Sequence, residues 1–376
     1  MTILIVCGDA SGDLHAGSLA KALREGASSR KETVTLVGVG GPRLRAQADR
    51  WIADIASQGI SGFIEPLFKA GVLWRTFRQI RDLMAAEKPD AVICVDFYGF
   101  NRRVLGLARR FAVPSYYYIG PQVWASRPGR LKALSRLIRR AFLILPFEPA
   151  LYRQAGIAAD FVGHPLLDLV PQPLEKKLGK PFRIGLFPGS RKDEIRRHGP
   201  VLLEAYRLMN SAMPCRGFLF APPAARRGDY PALEPSIAWV QEDGYDQRRK
   251  LDLALGSSGT TTIENALLGV PMVVLYKTSW ITYGIARALI RVLYISMTNL
   301  LSGQALFPEF IQGRAKPEFI AQAGLDLLKD PAAYRRLQSR LLGLRGALGT
   351  PGAAARTAQA ILADLKTLNP QAHASI

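Results

Sequence analysis

Two loops in the second half of the chain carry residue types suited to binding a nucleotide diphosphate. Each loop is built mainly of small residues and follows an apolar run, and the two loops contain Gly189, Ser190 and Arg191 and, farther along, Ser258, Gly259 and Thr260. Backbone N–H groups at a helix start can face an anion, and the helix dipole favours negative charge there. Arg191 adds a planar guanidinium that matches a phosphate group, and Arg287 or Arg291 is a further candidate cation.

Glu264 lies one turn into the helix that the second loop opens. A carboxylate at this point repels phosphate, but it can accept hydrogen bonds from the two hydroxyls of a ribose. The chain has no Asp-x-Asp sequence and no cluster of His, Cys and carboxylate residues with the spacing of metal ligands. The loops therefore predict a site for a nucleotide diphosphate that uses no metal and no cofactor, with Glu264 binding the sugar.

The first half of the chain carries other candidate residues at the ends of predicted strands. Asp96 ends the apolar run 91–95, and the C-terminal end of a parallel strand is a suitable place for a general base. The alternative role for Asp96 is that of a helix N-terminal cap. Gln122 and Trp124 follow another strand, and we expect them to line the same mouth of the sheet.

The turn at 8–13 joins the first predicted strand to the first predicted helix and contains Ser11, Gly12 and Asp13. Its aspartates disfavour a pyrophosphate, so we predict that it binds sugar hydroxyls. The alternative is a plain turn in which Asp13 is the N-cap of the helix. His15 either contacts the ligand or is structural, and His198 is predicted to lie on the surface.

Residues 60–81 combine large apolar side chains with lysine and arginine. The apolar members are Phe63, Ile64, Leu67, Phe68, Val72, Trp74 and Phe77. Such a segment can lie in a membrane interface, its cations meeting anionic headgroups. An ordinary amphipathic core helix is the alternative, but it leaves Phe63, Phe68 and Trp74 on a different face. We predict that this segment contacts an anionic membrane surface or acyl chains.

The charge of the chain is strongly positive, because 50 Lys and Arg stand against 30 Asp and Glu, giving a net charge of +20. Residues 97–147 contain no acid at all. Such a surface attracts nucleic acid, anionic lipid headgroups or phosphorylated substrates, and the charge alone does not choose among them.

The order of apolar and polar runs predicts an α/β protein with two Rossmann-like domains facing across a cleft. Strands are predicted at 2–7, 33–38, 91–96, 115–119, 142–145, 160–162, 183–187, 217–221, 237–240, 253–256 and 272–275. Helices are predicted at 14–24, 101–111, 127–140, 149–155, 200–210, 245–250, 332–344 and 353–368, with others opening near 260 and 317. We expect domains at 1–168 and 183–345, a linker at 169–182, and a tail at 346–376 that packs on a neighbouring domain or on a second subunit of a homodimer.

The cellular location is also suggested by composition. The opening run 2–7 leads straight into a turn and is predicted to be a strand rather than a signal peptide, and no run of eighteen apolar residues is present. Cys7, Cys94 and Cys215 lack metal-ligand spacing and are predicted to be buried free thiols of a reducing compartment. We expect a cytoplasmic protein that is peripheral on the inner face of the membrane.

Taken in order, several segments closely resemble the lipid-A-disaccharide synthase family, which are inverting glycosyltransferases with the GT-B fold. The segments that carry the resemblance are 8–13, 39–43, 120–125, 145–148, 161–168, 188–191 with 194–196, 258–264 and 294–309. The resemblance extends over nearly the whole chain, and these motifs are specific in combination although each alone is weak.

The resemblance implies that the enzyme transfers 2,3-diacylglucosamine from its UDP derivative to 2,3-diacylglucosamine 1-phosphate (lipid X), giving the β-1,6-linked lipid A disaccharide 1-phosphate and UDP. It implies that Asp96 is the general base and that Arg191, Glu264 and Asn299 bind UDP. It also maps the family's membrane-facing patch onto residues 60–77, and it implies no nucleic-acid partner.

Two positions depart from the family pattern. The family usually has Glu at the position of Asp9, and it commonly has a second acid at the position of Gly99. Any orienting role of that second acid toward Asp96 must therefore be filled by another group. The alternative functions are a UDP-N-acetylglucosamine epimerase or a peptidoglycan glycosyltransferase, which would share the fold and Glu264 without needing the aromatic and basic patch, and a nucleic-acid-binding protein using the arginine-rich stretch 102–140.

Overall fold

The computed structural model describes residues 1–57, 70–123, 129–175, 178–223, 225–241, 244–289 and 293–368. The chain forms two compact units. Unit 1 comprises Met1–Asp168 together with Leu348–Ile376, and unit 2 comprises Leu169–Ala347.

Unit 1 is built on a parallel sheet of seven strands in the order β3-β2-β1-β4-β5-β6-β7. The strands are β1 Thr2–Val6, β2 Thr35–Gly40, β3 Arg50–Asp54, β4 Ala91–Val95, β5 Ser115–Tyr118, β6 Arg140–Leu143 and β7 Ala158–Phe161. All five residues of β4 are buried, because helices cover both faces of a parallel sheet and central strands are apolar throughout.

The helices of unit 1 lie on both faces of this sheet. They are α1 Ala10–Ser29, α2 Pro42–Arg45, α3 Ala70–Glu87, α4 Tyr98–Arg110, α5 Gly129–Leu134, α6 Glu148–Gln154 and α7 Leu166–Leu169, followed at the end of the chain by α14 Ala353–Leu368. The last helix, α14, packs against α1, and Leu362 and Leu365 join the same apolar cluster as Leu19 and Leu23. The tail therefore completes the core of unit 1 within the same chain.

Unit 2 is built on a parallel sheet of six strands in the order β10-β9-β8-β11-β12-β13. The strands are β8 Phe182–Phe187, β9 Cys215–Phe220, β10 Ile237–Val240, β11 Leu253–Ser257, β12 Met272–Tyr276 and β13 Glu309–Ile311. The helices are α8 Lys192–Ala212, α9 Thr260–Leu267, α10 Trp280–Leu289, α11 Met297–Ser302, α12 Pro317–Lys329 and α13 Pro331–Ala347, with single-turn 3₁₀ helices at Arg227–Asp229, Arg248–Lys250 and Gln312–Arg314.

The strand order reverses once in each sheet. In unit 1 the chain builds β1 to β3 in one direction and β4 to β7 in the other, so β1 and β4 are neighbours. In unit 2 the corresponding neighbours are β8 and β11. Loops that follow two such strands diverge and leave a crevice at the carboxyl ends, which is where open α/β sheets bind ligands.

The structure corrects several predicted elements. The helix expected at 127–140 is the shorter α5, and Arg140 instead begins β6 and pairs with Asp160 of β7. Residues 245–250 contain only one 3₁₀ turn. Strands β3 and β13 were not predicted. Both are short edge strands with half-exposed residues, so they lack a clear apolar pattern.

None of the helices in the described ranges is long and apolar enough to cross a membrane. The prediction for the cysteines is confirmed, since all three are buried free thiols.

Candidate active site

Asp96 lies directly after β4, at the strand-order reversal of unit 1. Asp96 and Phe97 both have left-handed backbone conformations, with φ of 47° and 45°, which is costly for residues with a Cβ. Hydrogen bonds hold this geometry: the Asp96 carbonyl oxygen accepts from Tyr117 Oη at 2.6 Å and from Asn101 Nδ2 at 2.7 Å. A strained backbone held by buried donors is typical of functional sites, and here it fixes the direction of the Asp96 side chain.

The Asp96 carboxylate is only partly satisfied. Its Oδ1 accepts from the backbone N–H of Phe97 at 2.8 Å, whereas Oδ2 has no hydrogen-bond partner among the described residues. Burial, and secondarily the negative charge of Asp9, raise the pKa of Asp96 from 3.8 to about 7. A carboxylate with a pKa near neutrality and a free oxygen can accept a proton at physiological pH, as a general base must.

The ring of Phe97 covers the glycine at the end of β1. A Cβ built on Gly8 would overlap the Phe97 ring, so Gly8 allows the loops after β1 and β4 to pack directly on each other. This contact explains why Asp9, in the first loop, lies near enough to Asp96 to raise its pKa.

Asp9, not Asp13, is the N-cap of α1. Asp9 Oδ1 accepts from the backbone N–H of Gly12 at 2.6 Å and from Ser11 Oγ at 3.0 Å. Ser11 is exposed and Gly12 is buried, so of these two residues only Ser11 faces solvent, with its hydroxyl. The helix therefore starts four residues earlier than predicted from Leu14.

Asp13 differs from its expected role as a residue that binds sugar hydroxyls. It is 3% exposed, and its carboxylate accepts from the backbone N–H groups of Gly41, Arg43 and Leu44 at 2.9 to 3.0 Å. These bonds cap α2 and tie it to α1. Because the carboxylate accepts these backbone hydrogen bonds, it is not available to bind sugar hydroxyls.

His15 and His164 form a pair of neutral imidazoles in unit 1. Burial lowers the pKa of His15 to about 4, and Asp9 offsets part of this effect. Burial and the nearby His15 lower the pKa of His164 to about 3. His164 Nδ1 accepts from the Leu166 backbone N–H at 3.2 Å. At neutral pH the half-buried His15 can exchange hydrogen bonds with hydroxyls, but it offers no positive charge to a phosphate.

The remaining candidates in unit 1 are only partly described. Gln122 is exposed in the loop after β5, and the preceding Pro121 carbonyl accepts from Tyr152 Oη at 3.0 Å. Trp124 lies outside the described residues.

The apolar patch predicted at 63–77 is described only from residue 70, so Phe63, Ile64, Leu67 and Phe68 lie outside the described residues. Val72 and Phe77 are half-buried on α3 and pack against the core of unit 1. Trp74 is 63% exposed, and the Arg78 guanidinium lies 5.9 Å from its ring centroid. Of the described members, Trp74 alone is a large exposed apolar residue.

In unit 2, Gly189, Ser190 and Arg191 follow β8 as predicted, and they directly precede α8, which begins eight residues earlier than the helix predicted at 200–210. Gly189 has φ of 112°, and a Cβ at this position would overlap the side chain of Glu194. The Glu194 carboxylate accepts from the backbone N–H groups of Ser190 and Arg191 at 3.3 and 3.4 Å and pairs with the Arg191 guanidinium at 3.2 Å. The loop thus binds an anion in the structure, and that anion is the chain's own Glu194.

The second loop, Ser258, Gly259 and Thr260, follows β11 and opens α9, on the other side of the strand-order reversal. Ser258 Oγ donates to the carbonyl oxygen of Ile295 at 2.6 Å. The loop is therefore tied to the segment that precedes α11.

Glu264 is held by two residues that the sequence did not single out. Tyr245 Oη donates to Oε1 and Arg248 Nη1 donates to Oε2, both at 2.8 Å. Arg248 is itself fixed by Asn265 Oδ1 and the Thr261 carbonyl, at 2.8 and 2.9 Å, and its guanidinium stacks over the Phe187 ring. This network orients the carboxylate of Glu264 and places it beside a positive charge.

Asn299 was expected to bind UDP, but its side chain is fully buried and forms hydrogen bonds with other parts of unit 2. It exchanges hydrogen bonds with the backbone of Phe307, both at 2.8 Å, and donates to Glu309 Oε1. Glu309 also accepts from the backbone N–H groups of Ile295 and Ser296 at 2.9 Å. Through Glu309, the Asn299 side chain thus helps to fix the position of Ile295, whose carbonyl oxygen accepts from Ser258.

His198 is buried, so its prediction as a surface residue is wrong. The backbone N–H of Lys277 donates to Nε2 at 3.0 Å, and Nδ1 therefore donates to the Pro188 carbonyl at 2.9 Å. Burial lowers the pKa of His198, which keeps this tautomer neutral. The imidazole joins the Gly189 loop to the end of β12.

Of the two further cations, Arg287 lies exposed on α10, and Arg291 lies outside the described residues. No group of three or more His, Cys, Asp or Glu residues in the described ranges could hold a metal ion.

Each unit therefore holds its own group of candidate residues, at the carboxyl ends of strands beside a reversal of strand order. The group in unit 1 presents a carboxylate able to remove a proton. The group in unit 2 presents two helix-opening loops, an arginine and an oriented glutamate. The sequence missed Tyr245, Arg248 and Glu309 because no local pattern marks residues that act by contacting distant side chains.

Comparison with known proteins agrees with this architecture. A family model described as lipid-A-disaccharide synthetase matches residues 3–351. The chain is 39% identical to the lipid-A-disaccharide synthase of Syntrophus aciditrophicus, over 97% of this chain and 98% of that protein. Among solved structures it is similar to a putative UDP-N-acetylglucosamine 2-epimerase from Listeria monocytogenes, with a TM-score of 0.65, 16% identity and coverage of 99% and 97% of the two chains. It is also similar to the calicheamicin glycosyltransferase CalG4, with a TM-score of 0.62, 14% identity and coverage of 96% and 98%.

Proposed function

The chain belongs to the lipid-A-disaccharide synthase family of GT-B glycosyltransferases, and from that premise we propose how its residues perform the transfer. The donor is UDP-2,3-diacylglucosamine, the acceptor is 2,3-diacylglucosamine 1-phosphate, and the products are lipid A disaccharide 1-phosphate and UDP.

Asp96 acts as the general base. Its free carboxylate oxygen takes the proton from the 6-hydroxyl of the acceptor. The oxygen of that hydroxyl then attacks the anomeric carbon of the donor. The bond from the anomeric carbon to the UDP oxygen breaks in the same displacement, so the configuration inverts and the electron pair leaves on UDP. The observation that carries this assignment is the left-handed, hydrogen-bonded Asp96, whose pKa is about 7.

The loops after β8 and β11 stabilise the departing UDP. Backbone N–H groups at helix starts and the Arg191 guanidinium offset the charge that develops on the leaving diphosphate. Because the Glu194 carboxylate accepts hydrogen bonds from Ser190 and Arg191, it must give up these contacts when a phosphate binds. Glu264, oriented by Tyr245 and Arg248, accepts the ribose hydroxyls.

Ser11, Gln122 and the neutral His15 are the described candidates for contacts with sugar hydroxyls. Residues 63–77 are the proposed contact with acyl chains and with the anionic inner face of the cytoplasmic membrane. The exposed Trp74 beside Arg78 supports this role, since an aromatic ring next to a cation suits the headgroup layer.

The experiment that tests the function is incubation of the purified protein with both lipid substrates in a chelator-containing buffer, followed by mass detection. We expect a disaccharide monophosphate and an equal amount of UDP. Turnover of soluble UDP-N-acetylglucosamine to an epimer, without disaccharide formation from the lipid substrates, would instead assign the chain a different reaction on the same fold.

A further inference from the structure

A cavity of about 660 Å³ lies on one face of the sheet of unit 2, over β9 and β10. Its lining residues include Arg183, Arg216, Phe218, Trp239 and Lys250. Strand register explains the grouping: Arg183 pairs with Arg216, and Phe218 pairs with Ala238, so these four residues share a face. We call this cavity the basic groove.

The basic groove is open to solvent because the chain segments that connect β9 to β10 and β10 to β11 place no α-helix over it in their described parts. The described parts of the β9–β10 and β10–β11 connections contain one 3₁₀ turn each and no α-helix. On the opposite face of the same strands, Ile184, Leu219 and Ile237 lie in the apolar core. Leu251 covers β8 at Gly185, which leaves the faces of β9 and β10 exposed beside it.

Three cations meet in the basic groove without a matching anion in the described part of its lining. Arg183 and Arg216 are directly opposite each other on neighbouring strands, an arrangement that like charges make unfavourable. Both guanidiniums lie over the Phe218 ring, at 4.5 and 5.6 Å from its centroid. Lys250 and Arg216 are exposed, and neither forms an ion pair with any described residue.

One donor in this cluster is also unused. Arg183 Nη2 donates to Gln247 Oε1 at 3.3 Å, but its buried Nε has no hydrogen-bond partner among the described atoms. A buried donor without a partner is costly. An anion bound between the two guanidiniums would satisfy it and offset their repulsion at the same time.

We propose that the basic groove binds a small soluble molecule that carries a phosphate group. Two adjacent guanidinium forks and an ammonium suit a tetrahedral dianion, which accepts several charge-assisted hydrogen bonds at once. The volume is that of a small-ligand site. A lipid headgroup fits less well, because the large exposed apolar residues of the described chain, among them Trp74 and Trp280, do not line the groove.

The basic groove is distinct from the proposed nucleotide site. Arg183 and Arg216 belong to the first residues of β8 and β9, whereas the loops containing Gly189 and Ser258 follow the carboxyl ends of β8 and β11. The two arginines therefore lie toward the amino ends of their strands. The lining at Val240 and Gln241 reaches the carboxyl end of β10, an edge strand that leads into neither loop. The proposal depends on neither the identity of the donor nor the role of Asp96.

The test is isothermal titration of the full-length protein with pyrophosphate, glycerol phosphate and inorganic phosphate at low ionic strength. The groove variant combines Arg216→Gln and Lys250→Gln, both at exposed positions, and leaves Arg183 in place because it anchors Gln247. The control variant combines Arg335→Gln and Arg336→Gln, which removes the same charge from exposed positions on α13.

We expect the groove variant to lose affinity for at least one of these ligands by about tenfold or more, since each lost charge-assisted hydrogen bond has roughly that effect. The control should stay within about twofold, because it keeps the groove. Equal affinities in the two variants would overturn the proposal. Loss of binding to phosphatidylglycerol vesicles with no change toward soluble phosphates would also overturn it, in favour of a lipid surface.

Discussion

Asp96→Asn should lower turnover and raise stability at the same time. The substitution keeps the shape of the side chain, and the amide oxygen can still accept from the Phe97 N–H. It removes the oxygen that accepts a proton, so we expect turnover to fall by about 10²-fold or more. UDP affinity should stay near that of the wild type, because Asp96 and the UDP loops belong to different units.

The stability effect follows from the direction of the pKa change. The pKa of Asp96 rises from 3.8 to about 7 on folding, so between these values the folded state binds more protons than the unfolded state. Stability must therefore fall as the pH rises through this interval, by about 1.4 kcal/mol for each pH unit. Over the whole interval the loss reaches an upper value of about 4 kcal/mol.

Asn carries no charge at any pH and does not suffer this loss. At pH 8 the free energy of unfolding of the variant should exceed that of the wild type, and the difference should shrink toward pH 5. The assay is thermal or urea unfolding of both proteins at pH 5, 6, 7 and 8, beside turnover at pH 8. For a unit of this size, 1 kcal/mol corresponds to roughly 2–4 °C in Tm.

The matched control is Asp90→Asn in the same unit, where Asp90 accepts from the Thr2 backbone N–H and precedes β4. It should leave turnover near that of the wild type. The reasoning is refuted if Asp96→Asn is no more stable than the wild type at pH 8, or if it retains wild-type turnover.

Three further predictions concern other parts of the site. Glu264→Gln should weaken UDP binding by about tenfold or more in calorimetry. It should also cost about 3 kcal/mol of stability, because it removes the carboxylate that forms an ion pair with the buried Arg248. Unchanged UDP affinity would remove Glu264 from the nucleotide site. Gly189→Ala should lower the free energy of unfolding in urea by about 1–3 kcal/mol and should weaken UDP binding. The reason is that φ at this position is 112° and the new methyl group would displace Glu194. A variant as stable as the wild type would contradict this. Gly99→Asp introduces the acid that the family resemblance implies at this position. It should raise stability by about 1 kcal/mol, because it replaces a helical glycine in the first turn of α4, faces open space and favours the helix dipole. A lower Tm would show that the position is constrained.

The strongest sequence inferences concerned strands and the loops that follow them. The apolar runs ending at Asp96 and before Gly189 predicted buried strands, and the structure has β4 and β8 there. A continuous run of apolar residues is a local property of the sequence, and it can be recognised without knowing what covers the strand. The edge strands β3 and β13 lack this signal and escaped prediction.

Side-chain roles were less predictable than positions. Asp13 and Asn299 have residue types suited to ligand contact, yet the structure commits both to backbone groups far away in sequence, at 41–44 and at 307. His198 was predicted to lie on the surface, but it is buried against Pro188 and Lys277. The residue type determines which hydrogen bonds a side chain can form, whereas the packing of the chain determines which partner lies within reach.

The sequence by itself determined the class of chemistry: small-residue loops after buried strands, a carboxylate after a strand, and a metal-free set of candidates. Those features depend on neighbours in the chain, where hydrophobic pattern and helix-start geometry act. Only the tertiary structure decided that β1 meets β4 and β8 meets β11, that Phe97 packs on Gly8 and brings Asp9 close enough to raise the pKa of Asp96, and that Tyr245 and Arg248 orient Glu264. The physical reason is that electrostatic and hydrogen-bond energies depend on distance in space, which the sequence does not record.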